Sequence, residues 1–170
     1  CPAGEENLPV RWAALLGALG ETDTRRVLKR LRCSNACIEE TAVLVRETAG
    51  QGVSEEKASA HPGDIHIRQL LGRYGLCTVE RLCALCAALH PQAASECALV
   101  AQRARQLEAD GVCCRVSQLA VNGRDLMAAG IPAGPALRRV LEALLDGVIR
   151  AEYPNEKPAL LAAAQKIIAS

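Results

Sequence analysis

The apolar residues of this 170-residue chain are almost all aliphatic, and this limits what the chain can fold into. Half of its residues are hydrophobic, yet only 2% are aromatic and none is phenylalanine. Strands are usually marked by alternating runs of aromatic and β-branched residues, and long runs of that kind are missing here. Alanine and leucine are instead among the best helix formers. We therefore predict an all-α protein without a sheet.

Positive and negative charges nearly cancel, with 20 basic and 19 acidic side chains. A long-range field of one sign cannot attract a partner, so any site for a polyanion must be a local patch. The most basic stretch is TDTRRVLKRLR, where helical spacing places the basic residues around an apolar side. An ordinary solvated face explains this stretch as well as polyanion contact does. Its candidate contacts are Arg25, Arg26, Lys29 and Arg30.

The sequence shows neither a secretion signal nor a membrane anchor. It begins at Cys1, and no basic segment is followed by an apolar stretch. No apolar run approaches the roughly 20 residues that span a membrane. We interpret the chain as an internal fragment of a cytoplasmic protein that has no membrane partner.

The cysteines are interpreted mainly as small buried apolar residues. There are nine of them, an odd number, scattered along helical segments rather than spaced as a disulfide framework. Cys83 and Cys86 form a Cys-x-x-Cys pair, but neither a second pair nor a suitably spaced histidine completes a zinc set. A redox or zinc role is the least favoured alternative, and we predict no cofactor in this fragment.

A stretch of mixed Gly, Ser, Pro and charged residues at 49–63 predicts a linker. We therefore divide the chain into a helical body segment, 1–60, and a helical tail, 61–170. Helical spacing predicts that the first helix buries Trp12, Leu15, Leu16 and Leu19. The predicted helix-capping residues are Thr22, Thr24, either Ser34 or Asn35, Asp64, Thr78 and Asn155.

A glycine-rich corner, Gly130-Ile131-Pro132-Ala133-Gly134-Pro135, precedes a long predicted helix. Glycines let a backbone approach a ligand closely, and the unpaired amides at a helix start attract anions. Arg138 and Arg139 fall near that start, where acidic residues would stabilise the helix better. An external negative group would explain them. The alternative is that Gly130 caps a helix, Ile131 packs in the core and the prolines set the turn.

The last third of the chain resembles the tail of bacterial CCA-adding tRNA nucleotidyltransferases and their poly(A) polymerase relatives. In that family a V/I-N-G-x-D-L stretch leads through G-I-x-x-G-P to a long helix with an asparagine near its end. The segment here is VNGRDLMAAGIPAGPALRRVLEALLDGVIRAEYPN. The matching positions are Val121, Asn122, Gly123, Asp125, Leu126, Gly130, Ile131, Gly134, Pro135 and Asn155.

The resemblance implies a two-part helical array, the body and tail of a class II tRNA nucleotidyltransferase. Such a fragment is non-catalytic and grips the acceptor and T-arm duplex of tRNA. The catalytic head, with Mg²⁺ on paired Asp-x-Asp carboxylates, and the neck that selects CTP or ATP would be missing parts of the same chain. No Asp-x-Asp occurs here. The implied RNA contacts are Asn122, Gly123, Arg124, Gly130, Gly134, Arg138 and Arg139, together with the four basic residues at 25–30.

A helical protein-interaction or dimerisation domain is the alternative. Small residues on several predicted helices, and the Ala/Leu-rich last helix, suit close packing against a second copy of the chain or another protein. The low aromatic content argues against recognition of single-stranded RNA, which usually stacks its bases on aromatic side chains.

Overall fold

The computed structural model describes residues 7–50 and 64–169, and these residues form helices and loops without a strand. The all-α prediction is therefore confirmed. Helix α3 runs to Gly50, and the rest of the predicted linker, 51–63, lies outside the described residues. No helix among the described residues is long and apolar enough to cross a membrane. The helices are α1 (Leu8–Leu16), α2 (Gly20–Arg30), α3 (Asn35–Gly50), α4 (Asp64–Tyr74), α5 (Leu76–Leu89), α6 (Ala94–Ala109), α7 (Gly123–Ala128), α8 (Pro135–Ile149) and α9 (Lys157–Ala169).

The described residues divide into two compact units. Unit 1 contains 7–50 and 74–106, and unit 2 contains 64–73 and 107–169. The functional division into a body, 1–60, and a tail, 61–170, stays a prediction.

In unit 1, helices α1, α2 and α5 pack against α3. One cluster joins Ala13 of α1 and Leu44 of α3 to Leu85 of α5. A second joins Leu16 of α1 and Leu28 of α2. Each fully buried leucine contributes about 1.5–3 kcal/mol relative to an exposed one. These contacts fix the α2 helix, with its basic residues, on the outside of the unit.

Part of the predicted buried face of α1 is wrong. Leu16 is buried, but Leu15 and Leu19 are 71% and 51% exposed. The buried positions are Pro9, Ala13 and Leu16, which follow helical spacing along a neighbouring face. Because α1 ends at Leu16 and a 3₁₀ turn follows, the sequence periodicity beyond that point no longer describes one helix.

A core cluster of unit 2 is formed by α7, α8, α9 and the segment before them. Helix α8 buries Val140, Leu144 and Val148, spaced four residues apart so that they share one face. Leu126 of α7 and Leu160 of α9 are fully buried in the same cluster. This core positions the starts of α7 and α8, where the candidate contacts lie.

Among the predicted caps, Ser34 is confirmed, since its Oγ accepts a hydrogen bond from the amide of Cys37 at 3.3 Å. Helix α4 begins at Asp64, and the cap predicted at this residue stays a prediction. The caps predicted at Thr22, Thr24 and Thr78 are wrong. Helix α2 begins at Gly20 and α5 at Leu76, so all three threonines lie inside helices. The buried Thr24 hydroxyl instead donates to the Leu16 carbonyl, at 3.2 Å.

Candidate functional site

Asn122 closes the start of helix α7. Its Oδ1 accepts hydrogen bonds from the amides of Arg124 and Asp125, at 2.9 and 3.1 Å. The Asp125 carboxylate in turn accepts from the Asn122 amide at 3.1 Å, which completes a reciprocal capping box. The amides of Arg124 and Asp125 are therefore occupied by the chain itself. Asn122 has a clear structural role, and its RNA contact stays a prediction.

Lys157, at the start of α9, donates to the other oxygen of Asp125 at 2.6 Å. This hydrogen bond, followed by the one from the Asn122 amide, lowers the pKa of the Asp125 carboxyl below its ordinary value. A carboxyl whose pKa is lower in the folded state stabilises that state above its unfolded pKa, and this contribution is lost as the pH falls through the folded pKa.

We therefore expect Lys157→Met to raise the pKa of Asp125. Without the ammonium group the carboxylate keeps only its backbone donor, so it should protonate at a higher pH, and its contribution to the stability of unit 2 at neutral pH should be smaller. A pH titration of the side-chain carboxyl carbon by NMR measures the shift directly. Lys29→Met, which removes the same charge from helix α2 of unit 1, serves as the control. An unchanged Asp125 titration would show that the ion pair is not formed in solution.

The corner before α8 contains both structural and exposed elements. Gly130 and Gly134 have φ angles of 94° and 122°, which glycine adopts readily. Ile131 is 3% exposed, and its amide donates to the Leu126 carbonyl at 3.1 Å, so Gly130 and Ile131 end α7 as the structural alternative expects. Residues 132–136 are all exposed. The corner that leads into α8 is therefore accessible to solvent.

The start of α8 has no internal cap. Its N-cap residue is Gly134, which provides no side-chain acceptor, and the first turn contains no acidic residue. The Arg138 amide donates to the Gly134 carbonyl at 3.3 Å. The earlier amides of a helix have no acceptor within the helix, so this end carries partial positive charge. Of the two adjacent helix starts, α7 is closed and α8 is open.

The two helix starts lie side by side. A Cβ placed on Gly123 would stand 3.3 Å from Cδ2 of Leu137, in the first turn of α8. An alanine at 123 would require the Leu137 side chain to shift by a few tenths of an ångström. The predicted contacts Asn122, Gly123 and Arg124 thus lie beside the open end of α8.

The basic residues at this corner differ in their ion pairing. Arg138 donates to Glu142, one turn further along α8, at 2.8 Å, and this hydrogen bond raises the pKa of Arg138. Arg124 and Arg139 are exposed, and neither forms an ion pair with a described residue. Two cations beside the open helix end are therefore available to an external anion.

The basic helix α2 lies in unit 1, and half of its candidates are neutralised. Arg25 bonds Glu21 and Glu39, and Arg26 bonds Asp23 at 3.0 Å. Lys29 and Arg30 are exposed and form no ion pair with a described residue. Glu39 was not anticipated as a partner, because it belongs to the next helix, 14 residues from Arg25.

Asn155 does not cap the last helix, which corrects the sequence prediction. The amide of Leu160 donates to the Glu156 carbonyl, so the first helical acceptor of α9 is residue 156. The Asn155 side chain instead donates to the Gln118 carbonyl at 2.9 Å and accepts from the Ala120 amide at 2.8 Å. It joins the loop after α8 to the segment before α7.

The thiols of Cys83 and Cys86 have low reactivity. Burial raises the pKa of Cys83 to about 12 and that of Cys86 to about 11, so both are protonated at neutral pH. Over residues 7–50 and 64–169, no group of three or more His, Cys, Asp or Glu side chains is arranged to hold a metal ion.

The fold defines a class of protein: an all-helical module, in which the start of α8 lacks a side-chain cap and has exposed arginines on the two helices that meet there. This chain belongs to the family described as tRNA nucleotidyltransferase domain 2, putative, whose model matches residues 6–164. A CCA-adding enzyme from Levilactobacillus brevis is 56% identical to it over 45 residues, which are 26% of this chain and 11% of that enzyme. No solved structure matches. The family resemblance drawn from the sequence is thus confirmed.

Proposed function

We propose that this chain is the non-catalytic, tRNA-binding C-terminal portion of a CCA-adding tRNA nucleotidyltransferase. It grips the acceptor and T-arm duplex while a head and neck, elsewhere in the same longer protein, add nucleotides from CTP and ATP. The Mg²⁺ that this chemistry requires is held by the head. The setting is cytoplasmic.

The observation that carries this proposal is the open start of α8, with an available arginine on each of the two helices that meet there. Gly134 leaves the first amides of α8 uncapped, and residues 132–136 are exposed. Arg124 and Arg139 lie on the two helices that meet there. Backbone amides at a helix start and arginine side chains are both good phosphate ligands. An RNA backbone supplies such phosphates at regular intervals.

Duplex RNA is the form of RNA that this surface fits best. Proteins recognise duplex RNA largely through shape, phosphates and 2′-hydroxyl groups, whereas readers of single strands stack bases on aromatic rings. The chain has one Trp, two Tyr and no Phe. Tyr153 is half-buried and packed in the core of unit 2, so it is not presented as a stacking platform. Lys29 and Arg30 of α2 provide a second, independent phosphate contact in unit 1.

We expect the double substitution Arg124→Gln with Arg139→Gln to weaken binding of a tRNA minihelix by about tenfold at moderate salt. Two phosphate contacts should be lost, so the slope of log affinity against log salt should become shallower by about one to two. Fluorescence anisotropy at several salt concentrations measures both quantities.

The matched control for this experiment is Arg105→Gln with Arg150→Gln, which also removes two positive charges, one in α6 and one at the opposite end of α8. Arg150 bonds Asp146 at 2.8 Å and lies away from the helix start. Equal losses in control and test variants would mean that net charge, and not the corner, governs binding. Absence of minihelix binding by the unmodified chain at low salt would refute the proposed function.

A protein-interaction or dimerisation domain remains the second candidate, and one observation favours it. A groove of about 440 Å³ runs between α8 and α9, and half of its lining residues are alanines, which permit close approach of another helix. Sedimentation equilibrium decides between the candidates, because a stable dimer without affinity for the minihelix would support this second function. The groove is lined by Ala143, Glu152, Tyr153, Ala159, Ala162, Ala163, Lys166 and Ile167.

A further inference from the structure

Arg138 is the one predicted contact in α8 whose charge is already engaged. Its Nε lies 2.8 Å from an oxygen of Glu142, and the two side chains are 82% and 54% exposed. An acid that follows a base along a helix is the less favourable order, because the acid stabilises best near the helix start. The exposed pair is therefore weak and exchangeable, and a stronger anion can displace Glu142.

The neighbouring cations have no such competitor. Arg139 is adjacent in sequence to Arg138, and Arg124 lies at the start of α7, yet neither pairs with a described acid. A phosphate that approaches Arg139 gains a contact without breaking one. A phosphate that approaches Arg138 must displace Glu142 and then remain near its negative charge.

We infer that Glu142 is a specificity-determining residue of the proposed RNA site, because it competes with RNA phosphates for Arg138. The inference rests on the proposed function. Glu142 lowers the affinity of Arg138 for a phosphate, so full engagement of the corner requires a polyanion that also contacts Arg124 and Arg139. A rigid duplex with regularly spaced phosphates meets this requirement, whereas free phosphate does not.

Glu142→Gln tests this inference, since it keeps the shape of the side chain and removes its charge. We expect minihelix affinity to rise about three- to tenfold, and the salt dependence to steepen by about one phosphate contact. The gain should disappear when Arg138→Gln is added, because Glu142 then has no arginine to compete for. Fluorescence anisotropy of the four proteins in this double-mutant cycle measures the coupling.

Glu152→Gln is the matched control, since it makes the same change in net charge beyond the far end of α8, in the loop before α9. Little change in this variant, together with the coupled gain above, supports the inference. A gain from Glu142→Gln that persists without Arg138 would reduce the effect to general charge and overturn it, as would no gain at all. If unmodified protein binds no minihelix, the proposed function fails first. If the unmodified protein binds the minihelix and Glu142→Gln binds it equally well, only the inference is refuted.

Discussion

Gly72→Ala should destabilise unit 2 by about 2 kcal/mol or more, as expected for overpacking of a close contact. A methyl group at this position in α4 would stand 2.1 Å from the backbone carbonyl oxygen of Cys114. A carbonyl oxygen of the main chain cannot rotate away, so α4 and the segment at Cys114 would have to separate. Alanine is favoured over glycine in a helix by about 1 kcal/mol, which offsets only part of this cost. Urea unfolding followed by circular dichroism measures the difference.

Gly17→Ala is the control for this substitution. Gly17 has a right-handed helical conformation, with φ of −53°, and nothing lies within 4 Å of an added Cβ. The free energy of unfolding of Gly17→Ala should therefore stay the same or rise by a few tenths of a kcal/mol. Equal destabilisation by both substitutions, or a neutral Gly72→Ala, would show that α4 does not pack on the Cys114 backbone as described.

Gly147→Ala should cost about 1–2 kcal/mol, through a different mechanism. The added methyl group would come within 2.1 Å of the ring end of Tyr153, a side chain that can move. Its movement would break the hydrogen bond from the Tyr153 hydroxyl to the Ala143 carbonyl, 3.2 Å long, and open the packing against α8. Thermal or urea unfolding measures the loss.

A double-mutant cycle with Tyr153→Ala identifies the cause of this loss. Once the ring is removed, the methyl group at 147 has nothing to displace, so the two costs should not add. Additive losses would locate the effect of Gly147→Ala in the α8 backbone rather than at Tyr153.

The local elements of this fold could be predicted because their signals lie within a few residues. Pro135 marks the start of α8, and Gly75 and Gly111 follow the ends of α4 and α6 with positive φ angles. The corner at 130–135 was predicted for the same reason. Its glycines and prolines determine the backbone path almost by themselves.

Contacts between distant residues could not be predicted from such signals. Asn155 has the sequence context of a helix cap, yet its partners are backbone groups at 118 and 120. Likewise, the pairing of Arg25 with Glu39 depends on how α2 packs against α3. Which cations of the corner are available therefore became evident only in three dimensions.

The hydrogen bonds of the Asn155 side chain would reduce the entropy that is lost when the proposed RNA ligand binds. Its two hydrogen bonds fasten the chain to itself across 37 residues, and the span that they close contains α7, the corner and α8. The ordering entropy of that span is lost when the protein folds, not when a ligand arrives. A rigid duplex bound as proposed would thus contact a surface that is already ordered. The free energy of each phosphate contact would then contribute to affinity and would not be offset by ordering of this segment.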